Sequence, residues 1–271
     1  MHPPIISLTE WFQTPAGQYL LAWEREQFDL AVADLFGYNA LQLGLAELHT
    51  LNTNRMPHRW LAMPEEAVPS PTPADAAQTS HPAGSAWPRV SLVTNAAALP
   101  FPAASLDLVV LPHTLELSAD PHHVLREVER VLVPEGRVVI SGLNPNSWWG
   151  WRQSCGHWAD KLLPTQPDSS RLYLPEAGEF IGPGRMRDWL RLLSFEVESG
   201  RFGCYRPAVR TEKWLNRTAW MDRAGPRWWP ILGAVYFVVA VKRVRGMRML
   251  GPAWKPRRST ASAPVPVANR H

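Results

Sequence analysis

The sequence predicts an α/β fold built around a parallel sheet. Apart from Asp107, Arg137 and Ser141, residues 106–111 and 137–141 are apolar runs of strand length, which are typical of strands buried on both faces. Between them, apolar residues at helical spacing follow Asp120 and Pro121, which suit a helix cap and a first helical turn. A strand, a helix and a second strand with short connections predict a parallel βαβ unit with a right-handed crossover.

The chain before this unit contains one predicted helix and three short predicted strands. Thr14 can cap the helix, Pro15 suits its first turn, and Gly37 is its predicted end. Large apolar residues recur between Pro15 and Gly37 at helical spacing. The predicted strands are residues 40–43, 58–63 and 90–94.

The chain after this unit alternates between helix and strand in the same way. Residues 186–193 and 213–222 predict helices, and a half-exposed strand begins at Phe195. Residues 233–241 are apolar at both alternating sets of positions, which predicts an internal strand of the sheet.

Composition shifts divide the chain into segments. Residues 64–88 are rich in proline, alanine and serine and lack core-forming residues, which predicts a flexible insertion. Residues 249–271 are rich in proline, serine and arginine and predict a disordered basic tail. The sequence thus predicts an N-terminal helical segment at 1–37 and a main domain at 38–248.

Composition also excludes several classes of protein. Cys155 and Cys204 have no partner at metal-ligand spacing, which predicts neither a metal site nor a disulfide framework. The start of the chain lacks the pattern of a signal peptide, and the apolar stretch at 231–241 is too short to cross a bilayer. We therefore expect a cytoplasmic protein without a transmembrane segment.

The net charge of +4 is concentrated near the end of the chain. After Asp222 the sequence has ten lysines and arginines and no acidic residue. Such a basic end can contact RNA, DNA or an anionic membrane surface, or it can be a solvated tail.

Residues 95–136 contain an ordered series of motifs. The motifs are Asn95-Ala96-Ala97-Ala98-Leu99-Pro100-Phe101, Ser105-Leu106-Asp107-Leu108-Val109-Val110, His113-Thr114-Leu115-Glu116, Asp120-Pro121, Leu125-Arg126-Glu127 and Arg130-Val131-Leu132-Val133-Pro134-Glu135-Gly136. This series resembles the type 11 family of class I S-adenosylmethionine (SAM) methyltransferases. The resemblance implies a Rossmann-like, seven-stranded, mostly parallel sheet with helices on both faces and a reversed C-terminal hairpin. It also implies SAM as cofactor.

The resemblance places the cofactor against two loops, where the sequence departs from the family pattern. The family's acid-x-Gly-x-Gly loop corresponds to Gln42-Leu43-Gly44-Leu45-Ala46, so a glutamine replaces the acid and an alanine replaces the second glycine. At Ala46 we expect a side chain that crowds the cofactor and a loss of glycine's access to positive φ. Asn95 stands where the family has an aspartate facing the adenine amine, and Ala96 follows it. Glu65 or Glu66 is a candidate for the ribose hydroxyls, or is simply solvated.

The family resemblance also places the loop after the fourth strand beside the transferred methyl group. His113 is then the first candidate for a general base and Glu116 the second. Alternatively, His113 bonds the backbone at a strand end and Glu116 faces water. Trp148-Trp149-Gly150-Trp151 follows the next strand and predicts either a flat wall for an aromatic or lipid-like acceptor or a hydrophobic lid.

Three functional hypotheses follow from the sequence. The first is a SAM-dependent methyltransferase acting on a small molecule. The second is a catalytically inactive relative that serves as a binding or scaffold protein. The third is an RNA- or membrane-associated protein that uses the basic C-terminus.

Overall fold

A computed structural model of the chain describes residues 8–64, 90–162, 173–174, 178–209 and 211–244. Residues 65–88 of the predicted insertion and the predicted tail at 249–271 lie outside the described residues. Glu65 and Glu66, the candidates for the ribose hydroxyls, lie outside them as well.

Seven strands form one sheet in the order β3-β2-β1-β4-β5-β7-β6. The strands are β1 (Asn39–Leu43), β2 (His58–Met63), β3 (Leu92–Val93), β4 (Leu106–Pro112), β5 (Leu132–Leu143), β6 (Phe195–Gly203) and β7 (Val235–Lys242). The first five pair in parallel, whereas β7 is antiparallel to both of its neighbours, β5 and β6. The predicted mostly parallel sheet with a reversed C-terminal hairpin is therefore confirmed. The apolar run of β7 follows from its place between two other strands.

Helices cover both faces of the sheet, as predicted. They are α1 (Leu8–Phe12), α2 (Pro15–Val32), α3 (Thr114–Leu117), α4 (Pro121–Val131), α5 (Trp148–Leu162), α6 (Pro183–Leu192), α7 (Glu212–Arg217) and α8 (Met221–Trp228), followed by a 3-10 turn at Pro230–Leu232. Side chains of α2 and α5 join one buried cluster with alternate residues of the central strands. Side chains of α4 and α6 join a second cluster with the intervening strand residues.

The predicted βαβ unit is present as β4, α4 and β5. Asp120 caps α4 by accepting a hydrogen bond from the His123 backbone amide at 3.0 Å. The helix ends at Val131, and Leu132 turns directly into the extended conformation that begins β5. Val128 and Leu132 are fully buried in the cluster between α4 and the sheet.

Leu132→Ala should lower the free energy of unfolding by about 2–5 kcal/mol, because it removes a fully buried side chain and leaves a cavity. Urea unfolding followed by circular dichroism measures this loss. Leu192→Ala is the matched control, since Leu192 is 80% exposed and its truncation should change stability by less than about 0.5 kcal/mol. Equal effects of the two substitutions would show that Leu132 is not part of the core.

The first long helix ends earlier than the sequence predicts, at Val32 rather than Gly37. The Asn54 side-chain amide donates hydrogen bonds to the carbonyls of Val32 (2.9 Å) and Leu35 (3.3 Å). A loop distant in sequence therefore satisfies carbonyls that the end of a helix leaves unpaired.

The helix predicted at 213–222 is two helices, α7 and α8. The Thr218 hydroxyl donates to the carbonyls of Trp214 and Leu215, at 3.0 and 3.1 Å. A threonine that bonds back to the preceding turn competes with the regular helix ladder. The chain consequently turns at Thr218 before α8 begins.

Candidate functional site

The candidate site lies at the carboxyl ends of the parallel strands. The strand order reverses between β1 and β4, which makes the adjoining loops the expected ligand-binding crevice of an open α/β sheet. Gly44 follows β1, Asn95 lies shortly after β3, and His113 follows β4. β1 and β3 are two strand spacings apart, about 10 Å, with β2 between them. The structure thus brings the predicted cofactor loops to one edge of the sheet.

The loop after β1 turns through two residues with left-handed backbone. Gly44 has φ +76° and Leu45 has φ +42°, whereas Ala46 is outside this region. The need for positive φ therefore falls on Gly44 and Leu45, so the expected loss of glycine's access to positive φ at Ala46 does not affect this backbone. A side chain at Gly44 would contact only the Thr114 hydroxyl, at 3.4 Å, so open space adjoins this turn.

Gln42 is fully buried, and its side chain holds this loop in place by hydrogen bonds from the buried side. Its Nε2 donates to the carbonyls of Gly44 (3.2 Å), Leu45 (2.8 Å) and Leu48 (2.7 Å). Its Oε1 accepts from the backbone amide and the hydroxyl of Thr50, at 3.2 and 2.8 Å. Three carbonyls converge on one position, which requires a donor there, and an ionised carboxylate has none. This is the physical reason for glutamine where the family has an acid, and it leaves Gln42 no free polar atom to contact a ligand.

Residues 44–57 form turns and bends without a helix. Tertiary hydrogen bonds hold this segment in place, since the Arg59 guanidinium donates to the carbonyls of Leu51 (3.1 Å) and Asn54 (3.2 Å). The loop after β1 therefore presents no helix N-terminus, the group that favours anionic ligands at many sites of this kind.

Asn95 is exposed at the same edge. Its Oδ1 accepts a hydrogen bond from the Ala97 backbone amide at 2.9 Å, which fixes the turn after β3. Ala96 is half-buried against the cluster beneath. The side chain of Asn95 thus shapes the loop and presents an amide to the surface.

His113 is fully buried between two glutamates. Its Nε2 lies 3.0 Å from Glu24 Oε1, and its Nδ1 lies 2.9 Å from Glu116 Oε2. The other oxygen of Glu116 accepts a hydrogen bond from the Leu143 backbone amide. Gly142 permits this approach, because a side chain there would come within 2.9 Å of Glu116 Oε1. We call Glu24, His113 and Glu116 the buried ion cluster.

The cluster holds His113 as an imidazolium at neutral pH. Burial alone would lower the pKa of His113, but the charges of Glu24 and Glu116 outweigh it and raise the pKa to about 10. Burial raises the pKa of Glu116, and His113 and the Leu143 amide oppose that shift. In this geometry His113 hydrogen-bonds Glu116 and forms an ion pair with Glu24, so its predicted role as a general base has no support from the structure and stays a prediction.

Glu24 is the member of the cluster that the sequence analysis did not identify. It lies on α2, four positions after Leu20 and four positions before Phe28, and therefore on the buried face of the helix. Neither of its buried carboxylate oxygens has a partner with hydrogen-bond geometry. The sequence signal for Glu24 was a charged residue within the apolar stripe of a helix. Because a buried charge needs a counter-charge, this pattern indicates a buried ion pair.

The tryptophans after β5 divide between the core and the surface. Trp149 is fully buried and donates its indole N–H to the Arg206 carbonyl at 2.7 Å. Trp148 and Trp151 are 48% and 65% exposed. The segment is neither a continuous aromatic wall nor a closed hydrophobic lid, because its central tryptophan belongs to the core.

Comparison with known proteins agrees with this architecture. Residues 68–140 match a family model of type 11 that is described as a methyltransferase domain. Over these residues the chain is similar to methyltransferase domains. The resemblance drawn from the motifs at 95–136 is therefore confirmed.

Two further similarities accompany this match. Over 150 residues the chain is 37% identical to the uncharacterized protein YafS of Escherichia coli strain K12, with 54% of this chain and 52% of the relative covered. The match thus spans about half the length of that relative. A SAM-dependent methyltransferase of Archaeoglobus fulgidus has a similar structure, with a TM-score of 0.50 and 14% identity over 82% of this chain and 94% of the other. This second likeness bears on the fold alone.

Membrane spans and metal sites are both absent from the described residues. No helix among them is long and apolar enough to cross a membrane. The same part of the chain contains no group of three histidine, cysteine, aspartate or glutamate side chains arranged to hold a metal ion.

Proposed function

We propose that the protein is a SAM-dependent methyltransferase that acts on a small molecule. The observation that carries the proposal is the left-handed Gly44–Leu45 turn, which adjoins open space where the strand order reverses. Glycine at this position lets a ligand approach the backbone closely. When bound, SAM would supply an electrophilic methyl group on its sulfonium.

Different residues of the chain would contact different parts of the cofactor. The backbone at Gly44 and Ala46 would face the cofactor, with Gln42 holding the loop from beneath. Asn95 and Ala96 would meet the adenine end. His113 and Glu116 lie in the loop after β4, and the ion cluster would fix that loop beside the reacting atoms rather than accept a proton.

A second candidate is a methyltransferase-like binding protein that does not use SAM. The specific observation in its favour is the loop after β1, whose carbonyls converge on Gln42 and which lacks a following helix. Such a loop offers fewer backbone amides to a ligand than a loop that opens a helix. Isothermal calorimetry of the full chain with SAM and with S-adenosylhomocysteine separates the two candidates, because the second predicts no heat of binding with either.

Two substitutions test where the cofactor lies. Asn95→Ala should weaken SAM binding by about 0.5–3 kcal/mol, because it removes one polar contact and loosens the turn at Ala97. Ala46→Gly should tighten binding by removing a methyl group that faces the cofactor. Asn216→Ala, at an exposed asparagine on α7, is the control and should leave affinity unchanged. If SAM binds the wild type and both variants equally, the cofactor lies elsewhere.

A further inference from the structure

The connection between β6 and β7 carries several large apolar side chains that are exposed. Trp214, Trp220 and Trp228 are 55%, 60% and 74% exposed, and Ile231 is 60% exposed. Single exposed apolar residues are common, but several large ones on one short segment indicate an interaction site. We call the exposed side chains of residues 213–231 the tryptophan–arginine face.

Helical spacing places aromatic and cationic side chains together on α8. Trp220, Arg223, Arg227 and Trp228 are related by three, seven and eight positions, so they share one face of the helix. Trp220 has helical backbone angles although it precedes the helix, so this spacing applies to it too. Gly225, opposite this stripe, is buried and leaves no room for a side chain beside the Tyr205 ring. One side of α8 therefore packs on the domain, and the other presents two tryptophans and two arginines.

The cations of this face have no acidic partner among the described residues. Within the part of the chain that the structure describes, Lys213, Arg217, Arg223 and Arg227 form no ion pair. The nearby Asp222 is engaged by Arg206 at 2.8 Å. The surface therefore carries uncompensated positive charge beside apolar side chains.

We propose that the tryptophan–arginine face docks on an anionic lipid bilayer. Tryptophan favours the boundary between headgroups and acyl chains, and arginine and lysine attract anionic headgroups. Proteins that bind single-stranded nucleic acid stack bases on aromatic rings along a basic groove. The three tryptophans instead project with more than half of their surface free, and Ile231 extends the same segment with an aliphatic side chain. This combination of chemistries matches a lipid surface.

The position of the face in the fold is compatible with such docking. β6 is parallel to β5, and its last residue, Gly203, lies at the carboxyl edge of the sheet together with the start of β7. The segment between these strands therefore stands at the same edge as Gly44 and Asn95. The inference does not depend on SAM binding, because it rests only on the exposed side chains.

Sedimentation of the full chain with vesicles tests the proposal. The protein should bind vesicles of phosphatidylcholine mixed with phosphatidylglycerol, and binding should weaken as salt is added and be weaker with phosphatidylcholine alone. Arg223→Gln combined with Arg227→Gln should reduce affinity about thirtyfold, because each arginine contributes about 1 kcal/mol and 1.4 kcal/mol corresponds to a tenfold change. Trp220→Ser combined with Trp228→Ser should also reduce binding.

Two control variants locate the effect. Arg187→Gln combined with Arg191→Gln makes the same change in net charge on α6, which packs on the opposite face of the sheet, and should alter affinity far less. Arg257→Gln combined with Arg258→Gln tests the basic C-terminus in the same way. Circular dichroism checks that each variant is folded.

Three results would overturn the proposal. The first is an equal loss of vesicle binding in the α6 variant and the α8 variant. The second is a loss confined to the Arg257 and Arg258 variant, which would assign binding to the C-terminus. The third is an α8 variant that loses affinity for a single-stranded oligonucleotide but keeps its affinity for vesicles, which would make this face a nucleic-acid surface.

Discussion

Gln42→Glu should destabilise the protein by about 3–5 kcal/mol, although it introduces the acid of the family pattern. The new carboxylate would face the carbonyls of Gly44, Leu45 and Leu48, which now accept from the amide at 2.7–3.2 Å. One carboxylate oxygen would keep the two donors of Thr50, but the other would face three acceptors without a donor. Urea unfolding at pH 7 measures the loss, which should shrink at low pH because a protonated carboxyl can donate one hydrogen bond.

Gln153→Glu is the matched control for this substitution. Gln153 is also buried, but its Oε1 accepts from the backbone amides of Tyr173 and Leu174, at 2.9 and 3.0 Å. A carboxylate keeps both of these bonds and loses only one donation, to the Leu174 carbonyl at 3.2 Å. The control should therefore cost less than Gln42→Glu. If Gln42→Glu left stability unchanged, the loop after β1 would have to be able to turn its amides toward the carboxylate.

His113→Asn should lower stability by about 3–5 kcal/mol, because it leaves Glu24 and Glu116 buried without their common counter-charge. Asparagine is the appropriate replacement, since His113 has φ +52° and asparagine tolerates left-handed backbone better than most residues. The loss therefore reports the charge rather than backbone strain. Urea unfolding of wild type and variant measures it.

Adding Glu24→Gln to His113→Asn should recover part of this loss, because it removes one of the two stranded charges. The coupling between the two substitutions measures the ion pair. Strict additivity would show that Glu24 and His113 do not interact. The coupling energy between Glu24 and His113 cannot be read from the wild-type structure, because both residues share their environment with Glu116.

The same cluster predicts the pH dependence of stability. Folding raises the pKa of His113 from 6.5 to about 10, since the two glutamates outweigh the effect of burial. The folded state thus holds the proton more tightly, and this stabilisation is fully present below pH 6.5 and is lost as pH rises through about 10. The stability advantage of the wild type over His113→Asn should therefore narrow between pH 7 and pH 10. An advantage that stays constant over that range would mean that His113 is neutral in the folded protein.

Much of the fold was predictable because it depends on patterns that are local in the chain. The apolar runs of β4 and β5 and the cap of α4 at Asp120 are encoded within short segments. The apolar character of residues 233–241 likewise indicated the internal position of β7. The motifs at 95–136 indicated the family. The family pattern in turn indicated the edge of the sheet at which both Gly44 and Asn95 lie.

The sequence by itself therefore determined the class of fold, the order of its main elements and the edge that carries the candidate site. Only the tertiary structure decided that carbonyls converge on Gln42, that Glu24 meets His113, and that Asn54 ends α2. Each of these depends on the direction of a side chain or a peptide group contributed by another part of the chain. Residue spacing fixes which face of an element is buried, but the partner of a buried polar group is set by the elements that pack around it.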